Sequence, residues 1–412
     1  MSAVPGAPVG ALRAEQQPDW PDADQLRRVT DELRTRPALV RQDDVTALRH
    51  KVAQAAAGRA VLLQGGPCAE TFGSLAETER TVATLGRMAE VLARVSSFPV
   101  VTVGRLAGQY AKPRSRPTEE RDGVVLPVYR GDAVNGAVFN AVERSPDPRR
   151  MLRAYDESAA VLRGLGADGA SATCYTSHEA LLLDYENALV RTDPRTGRTL
   201  AGSGHMLWIG ERTRHVDGAH VHFARRVDNP FAVKIGPSAT ADDLLELIAR
   251  TNQEHTPGKL TLITRLGADR IDDILPELVE KVRLCGAPVL WVCDPMHGNT
   301  RTAGALKIRL MSEIKAEIRS FVEIHRRLGT HPGGLHLEMT GDYVTECVDG
   351  TGTVDDMDLM ERYTTACDPR LNRDQALEIA SFAAALWASV PERGHSPGAL
   401  GERFAPGGPA NR

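Results

Sequence analysis

The chain has 412 residues, 42% hydrophobic and 25% charged, with a formal net charge of −4, which fits a globular protein built as two average domains or as one α/β barrel with insertions. The charge makes no case for nucleic acid or an acidic membrane as partner, and no run approaches the roughly 18 to 20 apolar residues of a membrane helix. The N-terminus lacks the basic start and apolar core of a signal peptide, so a cytoplasmic address is expected.

Residues 1 to 20 are rich in Pro, Ala and Gly and are expected to be loosely draped, as is the tail over 391–412. Two short helices are predicted next, in "DADQLRRVTDELRTRP" and "DDVTALRHKVAQAAAG", each opening on Asp near its N-cap. Residues 1–57 are therefore read as an N-terminal extension. From there one theme repeats: an apolar, β-branched run, a polar turn, then helical spacing. Eight such runs occur: "AVLLQ" (60–64), "PVVTVG" (99–104), "GASATC" (169–174), "MLWIG" (206–210), "FAVKI" (231–235), "LTLIT" (260–264), "PVLWVC" (288–293) and "LHLEM" (335–339). A last helix is predicted in "NRDQALEIASFAAALWASV", where Asn372 and Gln375 have capping-box spacing. Strands alternating with helices imply parallel pairing, and eight repeats point to a (β/α)8 TIM barrel over 58–390 with a short helical extension before it.

In such a barrel the catalytic groups follow the strands, where the loops meet on one face. Four potential metal ligands do so: Cys68 after the first run, His297 after the seventh, Glu338 at the end of the eighth, and Asp368 in "TTACDPRLN" beyond it. A thiolate, an imidazole and two carboxylates suit a borderline divalent ion. Singly, each has a plainer explanation, such as packing for Cys68 or a turn at Asp368-Pro369; only convergence would make a site. Six cysteines are present without a CxxC pair, so zinc-ribbon and thioredoxin readings fail and reduced thiols are expected. A second constellation is basic. Arg105, Arg212, Lys234 and Arg265 end the second, fourth, fifth and sixth runs, and Lys112 and Arg114 follow Arg105 in one loop. Arg114 and Arg116 also fit a solvated surface, but Lys234 inside "FAVKI" does not. A cation in an apolar run is costly unless an anion meets it, which points to an anionic small molecule.

The strings "LLQGGPCAETF", "GRLAGQYAKPRS", "TSHEALLLDYE", "WIGERTRHVDGAHV", "NPFAVKIGP", "VLWVCDPMHGNT", "EMTGDYVTEC" and "YTTACDPRLN", in order over roughly residues 15 to 385, resemble type II 3-deoxy-D-arabino-heptulosonate 7-phosphate (DAHP) synthases. The resemblance implies a (β/α)8 barrel that condenses phosphoenolpyruvate with erythrose 4-phosphate and water, releasing phosphate, as the first step of the shikimate pathway. It implies Cys68, His297, Glu338 and Asp368 as ligands of one divalent metal, Mn or Co ahead of Fe or Zn. It implies Arg105, Glu211, Arg212, Lys234 and Arg265 as phosphoenolpyruvate contacts with Trp208 beside them, and Lys112, Arg114 and Ser115 as the loop for the erythrose phosphate. Lys234, Arg265 and His297 are the expected catalytic set. A homo-oligomer and a chorismate-pathway enzyme as partner are expected too. The sequence departs from the family pattern at Pro67, where Asp is usual, and in "RTAGALKIR", which keeps Lys307 and Arg309 but not the usual wording. The altered stretch motivates an alternative, the same chemistry on an imino or amino analogue of erythrose 4-phosphate. A non-catalytic barrel binding a phospholigand or a partner is the alternative of another class. Because Cys367 precedes Asp368, it is also expected near Cys68.

Overall fold

A computed structural model describes residues 12–166, 174–304, 306–349, 361–365 and 367–389. Eight parallel strands close a barrel in chain order: β1 (Val61–Gly66), β2 (Val100–Arg105), β3 (Tyr175–Glu179), β4 (Met206–Ile209), β5 (Phe231–Ile235), β6 (Leu260–Thr264), β7 (Leu290–Cys293) and β8 (Gly334–Glu338), which pairs back onto β1. The fold is a (β/α)8 TIM barrel. Strands such as β1, β5 and β6 are buried along their whole length, so they read as near-continuous apolar runs rather than alternating ones. Each is followed by a helix: α3 (Leu75–Ser96), α4 (Arg149–Gly164), α5 (Leu183–Ala188), α6 (Ala219–Arg226), α7 (Ala241–Thr251), α8 (Ile271–Cys285), α9 (Met311–Arg327) and α10 (Arg373–Trp387). The inner faces of all but α4 meet the outward strand residues in one large cluster that includes Leu85, Leu247, Val279, Phe321 and Trp387, while Val161 and Leu162 of α4 pack on Leu106 and Ala107.

Ahead of β1 lie α1 (Ala23–Thr35) and α2 (Gln42–Ala56). Asp22 caps α1, accepting from the Gln25 backbone at 2.8 Å. In α2 the cap falls on Arg41, which makes no side-chain capping bond; Asp43 and Asp44 sit in the first turn and favour it through the helix dipole instead. Leu48, Val52 and Ala55 of α2 share one cluster with the barrel-interior residues Leu62, Val103, Ile263 and Leu290. The helix thus packs into the end of the barrel from which the strands start. Val29 and Leu33 of α1 pack with Tyr155 of α4 and Tyr185 of α5. At the other terminus the box at α10 forms: Asn372 accepts from the Gln375 backbone at 2.9 Å, and the Gln375 side chain accepts from the Asn372 backbone at 3.1 Å.

One strand lies elsewhere than the sequence predicts. Of the run "GASATC", residues 169–173 fall outside the described residues, and β3 is the next stretch, "YTSHE". Its polarity hid it. Thr176 bonds His205 Nδ1 at 2.9 Å and His178 Nε2 bonds Glu186 Oε1 at 2.8 Å, so these polar groups find partners despite their burial. The tail 391–412 and residues 1–11 also lie outside the described residues. Among the described residues no helix is long and apolar enough to cross a membrane.

The loop after β7 carries an antiparallel hairpin, Thr300–Ala303 with Leu306–Leu310, and Cys347–Val348 from the β8 loop adds a parallel strand to its second arm. It stands over the face where the strands end.

Candidate active site

The loops at the C-terminal ends of the strands enclose a cavity of about 250 Å³, and every site residue named from the sequence lines it. The end of β1 sets its floor. At Gly66 an added Cβ would lie 2.6 Å from the Arg105 carbonyl oxygen, so only glycine lets β1 and β2 approach this closely before the chain turns out through Pro67 to Cys68.

Cys68, Glu338 and Asp368 each present a ligand atom within 4.8 Å of the other two. His297 joins through Glu338, its Nε2 3.1 Å from Glu338 Oε1. The other ring nitrogen, Nδ1, is 2.7 Å from Asp294 Oδ2, an arrangement that aims Nε2 into the cluster. Three acidic groups packed this tightly in a buried site repel one another unless a cation stands among them. Here the cation is the Lys112 ammonium, which bonds Cys68 Sγ and Asp368 and lies 4.0 Å from Glu338 Oε1. Burial works to raise the Glu338 and Asp368 carboxyls. The surrounding basic groups win: His297, Lys112, Arg309 and Arg105 hold Glu338, and chiefly Lys112, with Arg309 and Lys307, holds Asp368, well below the ordinary carboxylate range. The donor set and its demand for positive charge fit a divalent ion.

The basic constellation rings this centre. Buried Arg105 donates to Glu338 Oε1 at 3.0 Å, with its guanidinium 5.2 Å from the Trp208 ring centroid. Lys234 is buried against Asp294; burial pulls its ammonium down to about 8 although that carboxylate pulls the other way. Half-buried Arg265 donates to the His297 carbonyl at 3.3 Å. Arg212 and Ser115 are exposed at the rim, and the Arg114 backbone donates to Gln16 Oε1 at 2.9 Å, tying the Lys112 loop to the N-terminal segment. Glu211 bonds Ser238 Oγ at 3.0 Å and the Gly236 backbone, so it braces the β5 loop.

Several lining groups are not among the site residues expected from the sequence. The β7 hairpin supplies Lys307, 2.7 Å from Asp368 Oδ1, and Arg309, 2.7 Å from Glu338 Oε2. The altered wording of that loop therefore leaves both cations on the centre. Glu179, at the end of β3, is buried with Oε1 free of any hydrogen-bond partner, and burial raises its carboxyl despite Lys234, Lys112 and His297 nearby. Its signal lies within "TSHEA", in the strand that polarity conceals. Other buried carboxylates hold the loops from behind. Glu70 accepts three backbone N–H groups, from Ala107, Gly108 and Gln109; Glu317 accepts from Leu266, Gly267 and Asn299; Glu346 accepts from Thr364, Thr365 and Arg370.

Cys367 lies beside Cys68, as its neighbour Asp368 requires. The hydrogen bond between the two thiols, with Lys112 and Arg114 close by, pulls Cys367 below the usual thiol range, while burial and the same bond push Cys68 above it. We expect metal-stripped protein left in air to form a Cys68–Cys367 disulfide, with dissolved oxygen as oxidant, and to regain activity with reductant plus metal. Peptide mapping of that sample should recover the linked pair; both thiols recovered free would refute it.

The sequence matches the profile of the Class-II DAHP synthetase family over residues 9–172 and 167–384. It is 46% identical over 430 residues to a phospho-2-dehydro-3-deoxyheptonate aldolase of Streptomyces coelicolor, spanning 91% of this chain and 96% of that protein. It is 40% identical over 436 residues to the phospho-2-dehydro-3-deoxyheptonate aldolase AroG of Mycolicibacterium smegmatis, spanning 91% and 93%. The solved phospho-2-dehydro-3-deoxyheptonate aldolase of Francisella tularensis superposes with a TM-score of 0.52 at 13% identity, covering 87% of this chain and 95% of that one, a likeness of fold alone.

Proposed function

The chain belongs to the class-II DAHP synthetase family, and from that premise we propose how its barrel carries out the family reaction. The enzyme condenses phosphoenolpyruvate with erythrose 4-phosphate and water to give DAHP and phosphate. A phosphate ester carries about −1.5 to −2 at neutral pH, so the two substrates bring roughly −4 to −5 into one cleft. One observation carries the assignment: a single cavity holds the Cys68–carboxylate centre and the basic residues Arg105, Lys112, Arg114, Arg212, Lys234 and Arg265.

In this proposal Arg105, Arg212, Lys234 and Arg265 hold phosphoenolpyruvate, with Trp208 and Glu211 shaping its pocket, and Lys112, Arg114 and Ser115 hold the aldose phosphate. Cys68, His297, Glu338 and Asp368 hold one divalent ion, Mn or Co ahead of Fe or Zn. Bound there, such an ion supplies Lewis acidity to the aldehyde oxygen. With an ion held there, Lys112, now the counter-cation of these donors, would be free to serve the anionic substrate. Fixing both anions supplies proximity, since C3 of phosphoenolpyruvate must meet the aldehyde carbon. Water adds at C2, and Glu179, whose Oε1 has no protein partner, takes the proton it gives up. The phosphate then leaves C2 against the arginines that bound it. Asp294 keeps Lys234 and His297 in place from behind.

Lys234→Ala and Arg265→Ala should each raise KM for phosphoenolpyruvate by roughly tenfold or more while leaving that for the aldose nearly unchanged, and Lys112→Ala should do the reverse. Equal effects on both substrates from all three would refute two separate anion subsites. Phosphate release measured with erythrose 4-phosphate and with its amino analogue decides which aldose the altered hairpin admits. A cytoplasmic homo-oligomer with a chorismate-pathway partner completes the proposal, its mass open to sedimentation.

A further inference from the structure

A barrel interior is ordinarily filled by branched apolar side chains. Here Gln64, Ser177 and His336 stand inside it, each wholly buried, on β1, β3 and β8. Gln64 and His336 are register partners. Ser177 Oγ donates to the Gly104 carbonyl at 2.9 Å, which leaves it to accept from Gln64 Nε2 at 2.8 Å. The Gln64 oxygen therefore faces His336 Nδ1, 2.7 Å away, and that nitrogen must carry the ring proton. His336 Nε2 is then a bare lone pair, and it meets Arg105 Nη1. A guanidinium can only donate, so this is the one tautomer that fits. The remaining Arg105 contacts are Nε to the Pro67 carbonyl at 3.4 Å, and Nη2 to the Cys68 carbonyl at 3.4 Å and to Glu338 at 3.0 Å. Of its five N–H groups, the second on Nη1 has no protein acceptor among the described residues. The His336 ring is also wedged edge-on against Trp208, with centroids 5.3 Å apart, under the same guanidinium.

We propose that Gln64 and His336 are positioning residues: a one-way hydrogen-bond chain from Gly104 through Ser177, Gln64 and His336 fixes the Arg105 guanidinium so that its single uncommitted N–H serves phosphoenolpyruvate. The proposal rests on Arg105 being a phosphoenolpyruvate contact. A polar chain in the barrel core contributes little to stability relative to well-packed apolar residues, but it fixes direction as they cannot. Neither residue touches substrate. Each acts through Arg105.

The test uses metal-saturated enzyme and separate KM values for the two substrates. Gln64→Leu and His336→Leu should each raise KM for phosphoenolpyruvate by about tenfold and leave that for the aldose within about twofold. His336→Gln, which can accept from Arg105 and donate to Gln64, should recover part of the loss. Arg105→Ala is the reference. If it raises the phosphoenolpyruvate KM while the Gln64 and His336 variants do not, the chain is refuted and the contact stands; if it does not, the contact and the proposal fall together. Should the leucine variants fail to fold, Ser177→Ala should shift the same KM in the same direction. Nitrogen-15 histidine spectra of the wild-type holoenzyme test the tautomer independently: His336 protonated at Nδ1 supports the chain, and protonation at Nε2 overturns it.

Discussion

Stripping divalent metal from the holoenzyme with a chelator should bring turnover to background, and adding Mn or Co should restore it. Cys68, Glu338 and Asp368 crowd their ligand atoms within 4.8 Å in a buried site, where the proposed mechanism activates the aldehyde. The Lys112 ammonium can balance the charge but cannot replace Lewis acidity, since it accepts no lone pair. His297→Ala should lower metal content and turnover together while shifting the melting temperature little, because the ring is a partly exposed loop side chain outside the hydrophobic clusters. Full activity in a sample shown to contain no metal would end the assignment.

Glu179→Gln should lower kcat by about 10²- to 10⁴-fold, the usual span for a lost general base, with small changes in either KM. The same substitution should stabilise the fold at neutral pH. Burial raises the Glu179 carboxyl above its unfolded value, so the native state binds more protons than the unfolded one in the window above the ordinary glutamate range. Stability therefore falls as pH rises through that window, and the amide removes the slope. Activity has the opposite sign: the base works only when ionised, so the wild-type acid limb should lie above the ordinary carboxylate range and vanish in the variant. A kcat within about threefold of wild type would show that the proton goes elsewhere.

Seven of the eight barrel strands were legible because a strand buried on both faces is usually apolar, as "FAVKI" and "LTLIT" largely are. The eighth, "YTSHE", was not. Thr176 and Ser177 in it bond partners distant in sequence, His205 and Gln64, and no local pattern announces those bonds. The same distinction runs through the site.

Residue type and placement after a strand were enough to single out Cys68, His297, Glu338 and Asp368, since few side chains bind a borderline metal and barrel chemistry gathers at strand ends. Arg105, Lys234 and Arg265 stood out because a cation next to an apolar run needs an anion. What required the tertiary structure was which groups share an environment. Lys112 lies among the proposed metal donors, and Lys307 and Arg309 reach them from a hairpin. Among the described residues that line the cavity, Glu179 alone keeps an unpartnered buried carboxylate oxygen. Chain order is written in the sequence and determines which element follows which. Burial and partnership arise only when strands far apart in that order close into a barrel, and they set the charge, tautomer and free lone pairs on which the chemistry depends.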